Sequence, residues 1–343
     1  MRFVSPLLKH ALYPALHHSG VFNRIKPPGS FAVVNYHGLF PSDHSNADLF
    51  LDGNLVLAQA FWKQLRYLKT HYEIVHPDNF REVVEKGESL PPRAVLLTCD
   101  DGLLNTLTDM LPVLQSENVP CLFFVTGASC TNNPGMLWYE ELYQLMRIRL
   151  LEPELELRAK LQAESRIAEN FQARWWKTIQ SASRLDANAR ADWMDRVRSY
   201  RSTNNFQSEK RWRLLTISEL KQLADSGMTI GAHTLTHPIL SLCSEGEARR
   251  EICESKKILE QAIGRRVWAF AYPYGNRATI GQRELHLARE SGFSCAFLNV
   301  EHWNGESNWF TVPRIHVSLR TTLPEFAAHL SGVHLRLQRA VGS

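Results

Sequence analysis

Several features that would quickly assign these 343 residues to a class are missing. There is no Cys-x-x-Cys pair: Cys99, Cys121, Cys130, Cys243, Cys253 and Cys295 are scattered, and three of them fall in apolar, strand-like runs. Buried, reduced thiols in a reducing compartment are the expectation, and a cysteine-built metal module is excluded. Charge of one sign is scarce as well. A formal net charge of +4, with no basic run and no recognition motif, gives no footing for nucleic-acid binding. The apolar N-terminal stretch, Met1 to Gly20, is interrupted by Lys9, His10, Pro14, His17 and His18. It is too broken for a transmembrane span and lacks a clean signal-peptide core and cleavage site. Residues 1–30 are read as an amphipathic segment. It is either a helix packed on the domain surface or an interfacial helix in peripheral contact with a membrane.

A further scarcity is local. Residues 137–215 contain neither histidine nor cysteine and no convincing strand, only polar helical stretches carrying Trp138, Trp175, Trp176, Trp193 and Trp212. Lys and Arg outnumber Asp and Glu there by 15 to 11, a surplus equal to that of the whole chain. Imidazole metal ligands must therefore lie elsewhere. The segment reads as a helical insertion that shapes the mouth of a site. Its tryptophans either form its own core or present an aromatic-basic surface to a sugar or an anionic glycan.

What is present is a strand-helix alternation with 44% hydrophobic residues, enough for a large core. Phe31 to Tyr36, Ala94 to Cys99 and Cys121 to Val125 read as buried strands, and so do Met228 to Ala232, Val267 to Ala271, Phe293 to Phe297 and Val312 to Val317. Amphipathic helices separate them: Leu57, Phe61, Leu65 and Leu68 recur at helical spacing, and Thr216-x-x-Glu219 and Ser244-x-x-Glu247 open helices with capping pairs. Such alternation predicts a parallel sheet or a (β/α) barrel whose site lies at the C-terminal strand ends. The expected parts are 31–136 and 216–335, flanking the insertion.

Polar residues gather at those ends. Ala94 to Cys99 runs into Asp100-Asp101-Gly102, Phe31 to Tyr36 into His37, and Met228 to Ala232 into His233-Thr-Leu-Thr-His237. Adjacent carboxylates at the edge of an apolar core repel each other and lose hydration, so they call for a cation or a hydrogen-bond network, unless they merely cap the next helix. Histidines at i and i+4 can point at one ion if they share a turn. One carboxylate plus two histidines is a three-ligand set with open positions, the arrangement of catalytic zinc, leaving the other carboxylate free to take a proton from water. Histidine suits the task of protonating a leaving group, and the tight turn Pro273-Tyr274-Gly275 offers backbone N–H groups to an oxyanion.

Leu97-Thr-Cys-Asp-Asp-Gly102, His233-Thr-Leu-Thr-His237 and Phe270-Ala-Tyr-Pro-Tyr-Gly275 resemble, in order and setting, the first three motifs of the polysaccharide deacetylases (NodB homology, carbohydrate esterase family 4). The resemblance covers about residues 31–136 and 216–320. It implies an irregular (β/α) barrel of the NodB-homology type and hydrolysis of N-acetyl groups on the amino sugars of a poly- or oligosaccharide. Asp100 would be the catalytic base, and Asp101, His233 and His237 would hold a divalent metal, by default zinc. Thr234 would brace the histidine loop, and the Tyr274 backbone N–H would serve the oxyanion. Pro273, Tyr274 and Trp303 would line the substrate pocket. Two departures matter. Where the family's third motif carries an arginine this chain has alanines and aromatics, so Arg314 is the expected substitute. No Leu-x-His motif follows near the C-terminus. Tyr36-His37-Gly38 resembles the N-terminal turn whose histidine takes the acid role in some relatives, so His37 is preferred over His316.

The expected partner is an N-acetylated glycan of bacterial envelope or exopolysaccharide metabolism, and the expected location is cytoplasmic, either free or beside a membrane. A metal-dependent amidohydrolase on a small amide or cyclic imide, and an inactive glycan-binding protein, are the competing functions.

Overall fold

The structure is a computed structural model that describes residues 6–25, 31–40, 48, 50–151, 164–199, 210–301 and 308–341. Ten strands form. They are β1 (Phe31–Tyr36), β2 (Leu39–Phe40), β3 (Val56–Leu57), β4 (Glu73–Ile74), β5 (Ala94–Cys99), β6 (Leu122–Val125), β7 (Thr229–Ala232), β8 (Ala269–Ala271), β9 (Cys295–Phe297) and β10 (Ile315–His316). Eight of them make one parallel sheet in the order β10-β1-β5-β6-β7-β8-β9, with β4 also on β5. β1 pairs with all six residues of β5, whose other edge is shared by β4 at Ala94 and Val95 and by β6 at Thr98 and Cys99. A parallel bridge from Phe297 to Val312 brings the chain leading into β10 back onto β9, so the sheet curls into an irregular barrel.

Both faces of this sheet are covered, which is why its strands read as unbroken apolar runs. Val33, Leu96, Leu122, Phe124, Ala269 and Phe297 pack into the barrel interior with Phe80 and Trp268. Their neighbours Val34, Val95, Leu97, Phe123, Val125, Ile230 and Phe270 pack against the outer helices. Among these, Ala58–His71 buries Phe61, Leu65 and Leu68 of the expected stripe, whereas Leu57, which precedes the helix, is 50% exposed. The helix after Gly102 starts as a π-helical turn, Thr106–Met110, and becomes regular only at Leu111–Ser116. Pro112, which has no N–H to give, comes just after that π-helical turn.

The N-terminal residues pack onto the barrel. Tyr13 and Phe22 are buried, the helix Tyr13–His18 lies on Leu323–Leu330, and the Tyr13 hydroxyl pairs with His334 Nδ1 at 2.6 Å. Packing thus uses the apolar side of the segment, and peripheral membrane contact is not supported. Among the described residues no helix is long and apolar enough to cross a membrane.

Three long helices, Trp138–Leu151, Glu164–Ala182 and Ala187–Ser199, follow β6. Trp175 and Trp212 join Leu142, Tyr143, Phe171, Ile179 and Met194 in a separate apolar cluster that also takes in Leu51 and Ile239 at the barrel mouth.

Candidate active site

The C-terminal ends of the strands converge on a cavity of about 250 Å³. His37 follows β1, Asp100 and Asp101 follow β5, His233 follows β7, Tyr274 lies past β8 and Asn299 past β9; all line the cavity. Six non-glycine residues have a positive φ among the described ones, and four of them, Asp101 (77°), Thr234 (64°), His237 (58°) and Tyr274 (60°), belong to the site's motif loops. Left-handed backbone is unfavourable for such residues and persists only where the surroundings hold it. Gly102 (φ 78°) completes the turn after the acidic pair, and a Cβ there would lie 2.8 Å from Val125 Cγ1.

Asp101, His233 and His237 bring three ligand atoms within 4.8 Å of one another. Asp101 Oδ1 lies 3.6 Å from His233 Nε2 and 3.5 Å from His237 Nε2, and it is buried with no hydrogen-bond partner. His233 Nδ1 is 2.7 Å from the carbonyl oxygen of Ala271. A carbonyl only accepts, so Nδ1 carries the proton and the Nε2 lone pair faces Asp101. Burial, with Asp100 alongside, pushes the Asp101 carboxyl up to about 8, and burial lowers both imidazoles. An orphaned buried carboxyl between two neutral imidazoles fits a divalent cation and little else.

The histidines converge differently from the expectation. They share no helical turn: His233 directly follows β7 and His237 sits in an irregular loop. The Thr234 hydroxyl accepts from the His237 N–H at 3.0 Å and donates to the His233 carbonyl at 2.5 Å, so Thr234 braces the loop as expected. Farther out, Glu251 accepts from the Thr236 N–H at 2.8 Å and from the Thr236 hydroxyl, and buried Arg190 of the last long helix pairs with Glu251 at 3.2 Å.

Asp100 is held differently. Arg314, 1% exposed, donates from both terminal nitrogens to its two carboxyl oxygens at 2.7 Å each, and Asn35 Nδ2 donates at 2.9 Å. Burial alone would raise this carboxyl, but the Arg314 guanidinium, with His233 and His37, holds it well below the usual range. Arg314 is fixed in turn by the Leu298 carbonyl and by Asn35 Oδ1. Asn35 was not anticipated; the one available signal is an amide inside the otherwise apolar run of β1.

His37 Nε2 lies 4.0 Å from Asp100 Oδ2, and burial pushes its imidazole down to about 3. His316 packs edge-on at 5.1 Å behind it and is absent from the cavity wall. Among the described residues the Tyr274 N–H donates to no other group, while Pro273 accepts from Gly275 in the same turn at 2.6 Å. Trp303 lies outside the described residues. The opposite wall is Phe50, Tyr139, Glu140, Trp175 and Trp176. Among the described residues no Lys or Arg lines the cavity, so of the aromatic-basic surface weighed above only the aromatic part meets it. A second group, Glu301, His329 and His334, also gathers ligand atoms. There both ring nitrogens of His334 are already engaged, by Tyr13 and Gln338.

The sequence model described as polysaccharide deacetylase matches residues 60–148 and 197–295. The chain belongs to the polysaccharide deacetylase family. A peptidoglycan-N-acetylglucosamine deacetylase of Bacillus cereus is 32% identical over 90 residues, 26% of this chain and 32% of that protein. A poly-beta-1,6-N-acetyl-D-glucosamine N-deacetylase of Escherichia coli is 28% identical over 103 residues, 30% of this chain and 15% of the relative. These matches span a third or less of the curated relatives. In fold, IcaB from Ammonifex degensii superposes with a TM-score of 0.56 at 18% identity, covering 89% of this chain and 98% of that one. The irregular barrel is thus the fold of this deacetylase family. His37 and Arg314 lie outside the matched stretches.

Proposed function

We propose that this chain hydrolyses the N-acetyl group of an amino sugar in a poly- or oligosaccharide, using a divalent metal, by default zinc, held by Asp101, His233 and His237. The orphaned Asp101 carboxyl between two histidines, beside an arginine-clamped Asp100, carries the reading. When bound, the ion supplies Lewis acidity toward the amide carbonyl and lowers the pKa of water.

The chain's own groups divide the rest. Asp100, held ionised by Arg314, takes the proton of the attacking water. The Tyr274 N–H donates to the oxygen that gains charge as the carbonyl becomes tetrahedral. His37 rests neutral, so it can accept the proton from Asp100 and pass it to the departing nitrogen, leaving acetate and a free amine. The 4.0 Å between His37 and Asp100 is spanned by one small rearrangement or one water. His316, behind His37, has no such access.

The substrate belongs, in this proposal, to bacterial envelope or exopolysaccharide metabolism, in keeping with the names of the relatives. The location belongs to the same proposal: cytoplasmic and reducing, the expectation drawn from the scattered cysteines of the sequence. The test is acetate release from N-acetylglucosamine oligomers by metal-loaded protein, beside small amides and cyclic imides. Release from the oligomers supports the reading, and turnover confined to small amides or imides replaces it.

A further inference from the structure

Of the strand-end residues that line the cavity, Asn299 is the one without a task in the hydrolysis described above. It stands two residues past β9, and its main chain is tied to the oxyanion turn, the Asn299 N–H donating to the Gly275 carbonyl at 2.9 Å. The two segments are in close contact there. A Cβ on Gly275 would lie 2.3 Å from Asn299 N and 3.0 Å from Asn299 Cβ, so only glycine lets the Tyr274 turn come so near.

The hydrogen bonds of Asn35 decide which end of the Asn299 amide is left for the cavity. A guanidinium only donates, so the Asn35 atom that takes the Arg314 bond at 3.0 Å is its oxygen. The Asp100 carboxylate only accepts, so Asn35 Nδ2 donates to it at 2.9 Å. The second Nδ2 hydrogen goes to Asn299 at 3.2 Å, and the atom that accepts it is Oδ1. With that oxygen committed, Asn299 has Nδ2 to offer, and among the described residues Nδ2 donates to no other group. Turning the amide over would set two N–H groups against each other.

Asn299 therefore joins the two groups that act on one amide bond. Through Asn35 it reaches the support of Asp100, and through Gly275 the turn that carries the Tyr274 N–H. A donor spent on the attacking water would hold back the lone pair that attacks. One spent on the carbonyl oxygen grows stronger as that oxygen gains charge.

We propose that the Asn299 side-chain amide is a second hydrogen-bond donor to the acetyl carbonyl oxygen, joining the Tyr274 N–H as that oxygen gains charge. This rests on the deacetylase reading above. No proton moves in the interaction; both Nδ2 hydrogens stay on Asn299.

The test compares acetate release from an N-acetylglucosamine tetramer by wild type, Asn299→Ala and Asn299→Asp, each carrying one divalent ion. Asn299→Ala keeps the backbone bond to Gly275 and is expected to lower kcat about 100-fold with KM little changed, the cost of one lost oxyanion donor. The acid limb of its kcat/KM profile is expected to stay in place, because Arg314 and Asn35 still hold Asp100. Asn299→Asp keeps an acceptor for Asn35 but sets a carboxylate against the developing charge, so its kcat is expected to fall below that of Asn299→Ala. A second readout needs no turnover. Acetate, whose carboxylate stands in for the charged oxygen, is titrated by NMR against the same loaded proteins and is expected to bind about 10-fold more weakly to Asn299→Ala, the scale of one hydrogen bond to a charged group. An unchanged kcat in Asn299→Ala overturns the proposal. So does a shifted acid limb, which would make Asn299 a support of Asp100 only, and so does an Asn299→Asp variant that outperforms Asn299→Ala, which would make the partner a sugar hydroxyl. Absence of acetate release by the wild type overturns the deacetylase reading instead, and the acetate titration then decides the donor. Weaker binding in Asn299→Ala sustains it; equal binding overturns it.

Discussion

Arg314 grips both carboxyl oxygens of Asp100 at 2.7 Å across 214 residues of sequence, from a position fully inside the barrel. The guanidinium does two things. It fixes the orientation of the carboxylate, and it keeps that carboxylate ionised where burial would otherwise favour the protonated form. Arg314→Met is therefore expected to lower kcat about 100-fold through misplacement of the base, with the metal still bound. The sign of the pH effect follows. Removing the cation raises the Asp100 pKa, so the acid limb of the kcat/KM profile moves to higher pH. An unmoved limb would detach Arg314 from the base.

The two histidines beside Asp100 separate by access. His37→Ala is expected to cut turnover about 100- to 10,000-fold, the range for loss of a general acid-base group, while metal content stays at one ion per chain. His316→Ala, behind it, is expected to cost less than about tenfold on the same scale. Turnover and metal analysis of the pair decide the assignment, and the reverse order would transfer the role to His316.

The metal loop is steadied from outside the barrel. Arg190 reaches from the helix Ala187–Ser199 to Glu251, and Glu251 holds Thr236 between the two histidines. Arg190→Met is expected to weaken metal binding about 10- to 100-fold, as loss of outer support for metal ligands does. It also leaves Glu251 as a lone buried charge. Adding Glu251→Gln to Arg190→Met is expected to recover melting temperature but not affinity, read by thermal unfolding and metal titration.

Without metal, Asp101 is a liability. Its folded pKa of about 8 stands above the ordinary carboxylate value, so the folded state binds the proton more tightly than the unfolded chain does. The stability this gives is complete below the ordinary value near 3.8 and is lost as pH rises through 8. Metal-free Asp101→Asn is thus expected to melt higher than metal-free wild type at pH 8, and added metal is expected to raise the wild type alone. Identical melting of the two metal-free proteins would contradict this.

Buried neutral histidines set the acid side. His334 is pushed by burial down to about 4 from an ordinary 6.5. Between those values the unfolded chain takes up a proton that the folded chain refuses, so stability is full above 6.5 and falls as pH drops toward 4. His334→Gln is expected to flatten part of the fall in melting temperature between pH 6.5 and 4.5, and an unchanged slope would show that His334 does not contribute to it.

Much of this was legible in the sequence because local pattern and chemistry coincide at strand ends. The run Ala94 to Cys99 followed by two aspartates announces both a buried strand and a polar mouth, and β1 and β7 repeat the device with His37 and His233. Where side chains meet through tertiary routes, pattern falls short. The spacing of His233 and His237 suggested a shared helical turn, yet a loop with two positive φ values brings them together. Asn35 and Asn299 gave no periodic signal, since one amide in a strand or one just past a strand end is ordinary until its neighbours are known. The local surplus of basic residues left an aromatic-basic surface open, but Arg190 and Arg211 are drawn into ion pairs with Glu251 and Asp52.

The central claim, a metal-dependent deacetylase centred on Asp100 and Asp101, is tested most directly by measuring acetate release and bound metal together in wild type and Asp100→Asn. Chelated wild type is expected to release no acetate from N-acetylglucosamine oligomers and to regain activity at one divalent ion per chain, whereas Asp100→Asn is expected to bind that ion and release none. Acetate release that survives chelation, or that persists in Asp100→Asn, would contradict the account.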